Sequence, residues 1–257
     1  MYRTGPTNLC SQEESEMAGK LAGKVAIVTG VSHDGQVGQA VAKALAAEGA
    51  SLAVCARTKD DVVARAAELK AEGANVIPVV ASLTDEADVK RLVSETASAF
   101  GRIDIVVNLA GGLTVYKPSA EVCVDEWTRE VNNNVLSAFL VTREVFPHMA
   151  KTGGGSIINF ARAGHAQANM LPYNVAKAGV VALTRTFALE GKDAQIRVNA
   201  IGPGLVDTAS NVAMMKPKDT SKWAKRDEIA DVVVFLASPE SIGVTGQVLD
   251  VTGWGFS

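Results

Sequence analysis

From residue 24 onward, short runs of apolar and β-branched residues alternate with stretches whose apolar positions return every three to four residues. The run Val25-Ala26-Ile27-Val28-Thr29 has no polar alternation, as expected of a strand covered on both faces. A helix is expected over 36–48, with Val37, Val41, Ala44 and Leu45 on one face. The same reading places strands at 52–55, 76–80, 103–107, 156–160, 196–200 and 247–250. Helices are expected at 59–72, 85–100, 125–149 and 228–237, with a further one carrying Tyr173, and the stretch between 204 and 228 reads as irregular. Pro78 points to an edge-like irregularity in the third strand, because proline cannot donate to a sheet ladder. Sustained β–α alternation implies a parallel sheet with helices on both faces. The expectation is an α/β fold: one domain over 21–257, built on a doubly wound parallel sheet, with no linker, repeat or low-complexity segment.

The first twenty residues break this pattern. They are polar, carry Glu13, Glu14 and Glu16, and lack the apolar core of a secretory signal, so a flexible tail over 1–20 is expected. Met17 is an alternative start within it. The chain has 257 residues and a formal charge of -3, which gives no strong attraction for nucleic acid or an anionic membrane. No apolar run approaches the ~20 residues that span a bilayer. Cys10, Cys55 and Cys123 are odd in number and widely separated, which fits a reducing, cytoplasmic setting and argues against a disulfide framework or a zinc site. Glu144 and His148 fall one helical turn apart but have no third ligand, so a surface pair is expected and no metal.

Candidate chemistry begins after the first strand. Thr29-Gly30-Val31-Ser32-His33-Asp34-Gly35-Gln36-Val37-Gly38 is a glycine-rich strand-to-helix turn. Such a turn lets backbone N–H groups and a helix N-terminus approach a pyrophosphate, making Gly30, Ser32, Gln36 and Val37 candidate cofactor contacts. The second strand ends in Ala56-Arg57-Thr58, without the acidic residue that would bond the ribose hydroxyls of NAD. Arg57 can instead clamp a 2′-phosphate, so NADP(H) is favoured and NAD(H) is the alternative.

Tyr173 and Lys177 stand at i and i+4 on the expected helix and therefore share a face. An ammonium beside a phenol favours the phenolate. Working near neutral pH from an ordinary tyrosine value of ~10 asks for roughly 4 kcal/mol of differential stabilisation.

In order and spacing, these residues resemble the short-chain dehydrogenase/reductase family, over about 21–253. The resemblance rests on the Thr29-Gly30 turn, Asn108-Leu109-Ala110-Gly111, Asn134, the Tyr173/Lys177 pair, Pro203-Gly204 with Thr208, and Val244-Thr245-Gly246. It implies a Rossmann-type fold and hydride exchange between a nicotinamide and a carbonyl or alcohol carbon of a small molecule. Tyr173 would be the general acid or base, and Lys177 would hold the nicotinamide ribose and lower the tyrosine's pKa. Asn134, counted back from Phe139 among three consecutive asparagines, would kink its helix and hold a relay water. Asn108 would brace the central strands, and Ser82 and Leu83 would adjoin adenine. Ala110, Gly111, Pro203 and Gly204 complete the expected cofactor contacts, with Val206 and Thr208 meeting the carboxamide and pyrophosphate. A homotetramer or homodimer is implied as well.

The chain departs from that family in several places. Its glycine-rich turn is longer, with Gln36 in place of the middle glycine, as in bacterial enoyl-thioester reductases. Ser82 replaces the usual aspartate. No serine or threonine lies between Ser156 and Tyr173, and Ala161 falls in the slot of the catalytic serine. Losing such a donor typically costs on the order of 2.7–4 kcal/mol, and Arg162 or His165 is the candidate substitute. The segment between Gly204 and Glu228, which carries Met214 and Met215, is short for a substrate loop. Three outcomes follow: carbonyl reduction, reduction of an activated C=C or C=N bond that needs less polarisation, or a cofactor-binding homologue with little turnover.

Overall fold

The computed structural model describes residues 19–255. The expected tail falls mostly on 1–18, outside the described residues. Its last two residues, Gly19 and Lys20, are described, and the Lys20 backbone N–H donates to Glu48 Oε2 at 2.8 Å.

The chain forms one α/β domain. Its elements run β1 (Val25–Thr29), α1 (Val37–Ala47), β2 (Ser51–Ala56), α2 (Lys59–Ala71), β3 (Val76–Val80), α3 (Glu86–Phe100) and β4 (Ile105–Asn108). There follow α4 (Val124–Val131), a π-helical turn (Asn132–Leu136), α5 (Ser137–Lys151), β5 (Gly155–Phe160), α6 (Leu171–Glu190), β6 (Ile196–Pro203), α7 (Ala209–Met215), α8 (Arg226–Ala237) and β7 (Val248–Val251). The seven strands are parallel, in the order β3-β2-β1-β4-β5-β6-β7.

Alternate strand residues feed two apolar layers. Ala26, Val28, Leu52, Val54 and Ile158 pack with Val41, Leu45, Val62, Leu69, Val233 and Leu236, so α1, α2 and α8 cover one face. Ile27, Ala53, Val106, Ile157 and Val198 pack with Val89, Leu92, Val141, Val145 and Met149, so α3 and α5 cover the other. Both faces are dry, which is why the strands read as unbroken apolar runs. Pro78 sits on β3, at the sheet edge, opposite Val54. It costs no ladder bond on the side away from β2.

Two expectations need correction. The helix expected over 125–149 runs as two helices joined by the π turn, which falls at Asn134, where the resemblance implied a kink. Inside that turn Asn134 Nδ2 donates 2.9 Å to the Glu130 carbonyl one turn back, an insertion into the helical ladder of the kind that widens it. The stretch read as irregular contains α7. This short helix buries none of its residues, so it leaves no apolar periodicity to read. It is set instead by its N-cap, where Thr208 Oγ1 accepts from the Asn211 N–H at 3.2 Å, and by Lys216 in the left-handed region at φ 46°.

Candidate active site

The strand order reverses between β1 and β4, so the connections leaving these strands part and open a crevice at their carboxyl ends. A cavity of about 410 Å³ lies there. Its walls include Gly30, Ser32, Gln36 and Val37 from the first turn, Arg57 after β2, Ser82 and Leu83 after β3, and Ala110 and Gly111 after β4. Nine of the expected cofactor contacts are therefore brought together.

The glycine-rich turn shapes this cavity by close approach. Gly30 has φ +78°, and a Cβ there would stand 3.0 Å from the Ala110 nitrogen. A Cβ on Gly38 would fall 2.4 Å from the Gly30 carbonyl oxygen, so the first turn of α1 rests on the exit of β1. Thr29 pins the facing strand. Its Oγ1 donates to the Val107 carbonyl at 3.2 Å and accepts the N–H groups of Leu109 and Ala110 at 3.0 Å each. The longer loop is tied to α7: Ser210 Oγ donates to Gln36 Oε1 at 3.1 Å, and the Ala209 N–H donates to the Gly35 carbonyl at 2.9 Å.

The other expected contacts lie outside the cavity wall. Asn108 is buried; its Nδ2 donates to Thr142 Oγ1 at 3.0 Å and to Asn159 Oδ1 at 2.9 Å, and Asn159 continues to Thr184 at 2.9 Å. This ties β4 and β5 to their helices, as a brace does. Pro203 ends β6, Gly204 donates its N–H to the Val251 carbonyl at 2.9 Å, Val206 bridges Ala224, and Thr208 caps α7. None of these four lines the cavity.

Tyr173 and Lys177 lie on α6, also outside the cavity wall. Lys177 is buried, and its Nζ donates 2.7 Å to the Phe160 carbonyl at the end of β5, which turns the ammonium toward the sheet. Burial lowers its pKa to about 8, with Glu130 opposing. The ammonium stands 5.5 Å from the centre of the Tyr173 ring. Burial also raises the Tyr173 phenol above its ordinary value. The cation that opposes this is Arg162, not Lys177, and Glu130 adds to the rise.

The Asn134 side chain is held against the loop after β4. Besides its bond to Glu130, its Nδ2 donates to the Gly112 carbonyl and its Oδ1 accepts the Gly112 N–H, both at 3.0 Å. Ala161 is buried just beyond β5, with its N–H on the Ile201 carbonyl at 2.8 Å. Arg162 Nη1 donates to the His165 carbonyl at 2.6 Å and to Asn174 Oδ1 at 3.2 Å, while the His165 side chain is exposed.

The cavity wall also contains Cys55, Asp61, Thr114, Asn133 and Ser137, none of them among the expected cofactor contacts. Cys55 was hidden as one more apolar strand residue, and burial pushes its thiol up to about 12, so it is inert. Asp61 Oδ2 lies 3.7 Å from His33 Nδ1 at the rim. Among the described residues no cluster of His, Cys, Asp or Glu could hold a metal ion, and no helix is long and apolar enough to cross a membrane.

A family model described as enoyl-(acyl carrier protein) reductase matches residues 30–256. The chain is 33% identical over 244 residues to the 3-oxoacyl-acyl-carrier-protein reductase FabG of Thermotoga maritima, covering 91% of this chain and 98% of that one. It is 35% identical over 245 residues to dehydrogenase/reductase SDR family member 4 of Oryctolagus cuniculus, covering 91% and 94%. The crystal structure of carveol dehydrogenase from Mycobacterium avium in complex with NAD superposes with a TM-score of 0.84 at 28% identity, covering 91% and 97%. The chain belongs to the short-chain dehydrogenase/reductase family. Within that family it is an NAD(P)-dependent oxidoreductase.

Proposed function

We propose that the chain transfers hydride between NADP(H) and a carbonyl or alcohol carbon of a small molecule, with Tyr173 as general acid or base. The observation that carries this reading is the cavity at the β1/β4 crevice. A Cβ on Gly30 or Gly111 of its wall would crowd Ala110 or Asn134, and the wall also carries Arg57 after β2 and Asn133 of the π turn before α5. Gly30, Ser32, Gln36 and Val37 would hold the pyrophosphate, and Arg57 the 2′-phosphate. Ser82 and Leu83 would adjoin adenine. The nicotinamide, when bound, supplies the hydride chemistry. Tyr173 gives the substrate oxygen its proton in reduction and takes it back in oxidation, while Lys177 holds positive charge beside it. Val206 and Thr208 complete the cofactor contacts by resemblance alone. A homotetramer or homodimer accompanies this reading, and exposed Trp127, Leu171 and Val175 on α4 and α6 fit such a contact.

A second reading, reduction of an activated C=C or C=N bond, is favoured by Ala161. Read as the catalytic-serine position, it offers no donor to a substrate oxygen, so a conjugated acceptor is the easier substrate. A steady-state panel of ketones, aldehydes, enones and imines with NADPH and NADH decides between them. Turnover of simple carbonyls supports the first reading and turnover confined to conjugated acceptors the second. No turnover despite tight NADPH binding leaves a cofactor-binding homologue. In the same panel, Ala161→Ser is expected to raise carbonyl turnover by about 10²-fold or more, the typical worth of one such donor; an unchanged rate removes Ala161 as the limiting departure.

Cofactor choice is tested separately. Arg57→Ala is expected to weaken NADPH by about tenfold or more, the loss of a charge-assisted contact worth ~1.4 kcal/mol or more, and to leave NADH nearly unchanged. Fluorescence titration of both cofactors reads it, and equal losses would remove the argument for NADP.

A further inference from the structure

Glu130 is 0% exposed, although it sits on a helix whose neighbouring charged residues, Asp125 and Arg129, face solvent. Taking a carboxylate out of water costs several kcal/mol unless it is paired. Its partners here come from a loop sixteen residues earlier in the chain. The Thr114 N–H donates to Oε1 at 3.1 Å and to Oε2 at 3.0 Å, and the Thr114 hydroxyl donates to Oε2. The Glu130 backbone carbonyl accepts from Asn134, which grips Gly112 at both its N–H and its carbonyl. The segment after β4 is thus clipped twice to the α4–π turn, and Gly111, Gly112 and Thr114 of that segment wall the cavity.

These partners are neutral. Lys177 lies on α6, which packs against α4, and is itself buried with its one hydrogen bond on a neutral carbonyl, so two buried charges stand on facing helices and no opposite charge bonds to either among the described residues. We propose that Glu130 is a positioning residue: its carboxylate ties the loop after β4 to α4 through Thr114 and supplies the counter-charge for the buried Lys177 ammonium. This rests on the reading of Lys177 as a working cation of the site. Glu130 opposes the lowering of Lys177 by burial, so the ammonium survives to a higher pH than burial alone allows. The titratable groups facing the pair are Tyr173 on α6, which also feels Glu130, and Arg162 after β5, which faces Tyr173. On α4 itself, Glu126 is paired with Lys117 at 2.7 Å.

The test compares Glu130→Gln, which keeps an acceptor for Thr114 but removes the charge, with Thr114→Val, which keeps the charge but removes the hydroxyl. Lys177 is titrated by NMR of lysine-labelled protein, with its signal assigned by Lys177→Met, and cofactor affinity is measured by fluorescence with NADPH. In Glu130→Gln the Lys177 midpoint is expected to fall by about one pH unit, the effect of losing a nearby opposite charge. In Thr114→Val it stays in place, while NADPH binds several-fold more weakly. An unmoved Lys177 midpoint in Glu130→Gln overturns the counter-charge, and NADPH binding unchanged in both variants overturns the clip. If Glu130→Gln does not fold, adding Lys177→Met should restore folding, because the two charges then leave together; failure to restore it overturns the pairing. None of these readouts needs turnover. A protein that passes them but reduces no substrate keeps this inference and loses the reductase reading.

Discussion

Tyr173→Phe is expected to lower kcat by roughly 10²–10⁴-fold, the usual worth of a positioned acid or base, while NADPH binds as before. The phenol lies outside the cavity wall and no described residue bonds to it, so phenylalanine removes the proton and little else. Burial holds the Tyr173 phenol above its ordinary value, which keeps it protonated near neutral pH. That state suits reduction, where a proton must be delivered. Oxidation of the alcohol needs the phenolate, so its rate should climb as pH rises toward the tyrosine range, and Tyr173→Phe should abolish the climb. Paired pH profiles of kcat in the two directions measure this. Turnover unchanged by the substitution would dismiss Tyr173 as the proton donor and leave Arg162, the cation beside it, as the group to examine.

The architecture was legible because a sheet covered on both faces writes its strands as unbroken apolar runs. β1, β3 and β5 fall where those runs predict, and Pro78 marks an edge strand. The glycine-rich turn was legible for a related reason: Gly30 is required by its left-handed φ and by contact with Ala110, both local to the exits of β1 and β4. The break at Asn132–Leu136 was not legible as a π turn. The apolar spacing continues through it, and the cause is a side chain bonding one turn back. α7 buries nothing and had only Thr208 as a signal. Glu130 was invisible for a different reason. In the run Asp125-Glu126-Trp127-Thr128-Arg129-Glu130 it reads as another solvated charge, and only the loop carrying Thr114, folded over it, makes it a buried carboxylate. Asn134 was legible by position, whereas its side-chain bonds to Gly112 and Glu130, made across the fold, were not.

Gly38→Ala is expected to have the other large effect. The added methyl would stand 2.4 Å from the Gly30 carbonyl oxygen, 3.0 Å from the Gly30 carbonyl carbon and 3.4 Å from Val31 Cα. All three are backbone atoms, so no side chain can swing aside, and α1 must lift from β1. Overpacking of this kind typically costs about 1–3 kcal/mol of stability. Lifting α1 also widens the turn from Gly30 to Val37, which on the proposed reading holds the pyrophosphate through its N–H groups. NADPH affinity should therefore fall by at least about tenfold, or ~1.4 kcal/mol. Gly73→Ala is the control. That glycine has φ +91° with nothing within 4 Å of its would-be Cβ, so the substitution strains the backbone without touching the cavity. It should lower the melting temperature by a few degrees, the equivalent of ~1–2 kcal/mol, and leave the NADPH Kd unchanged. Equal losses of affinity in the two variants would mean that the approach of α1 to β1 does not shape the cofactor site.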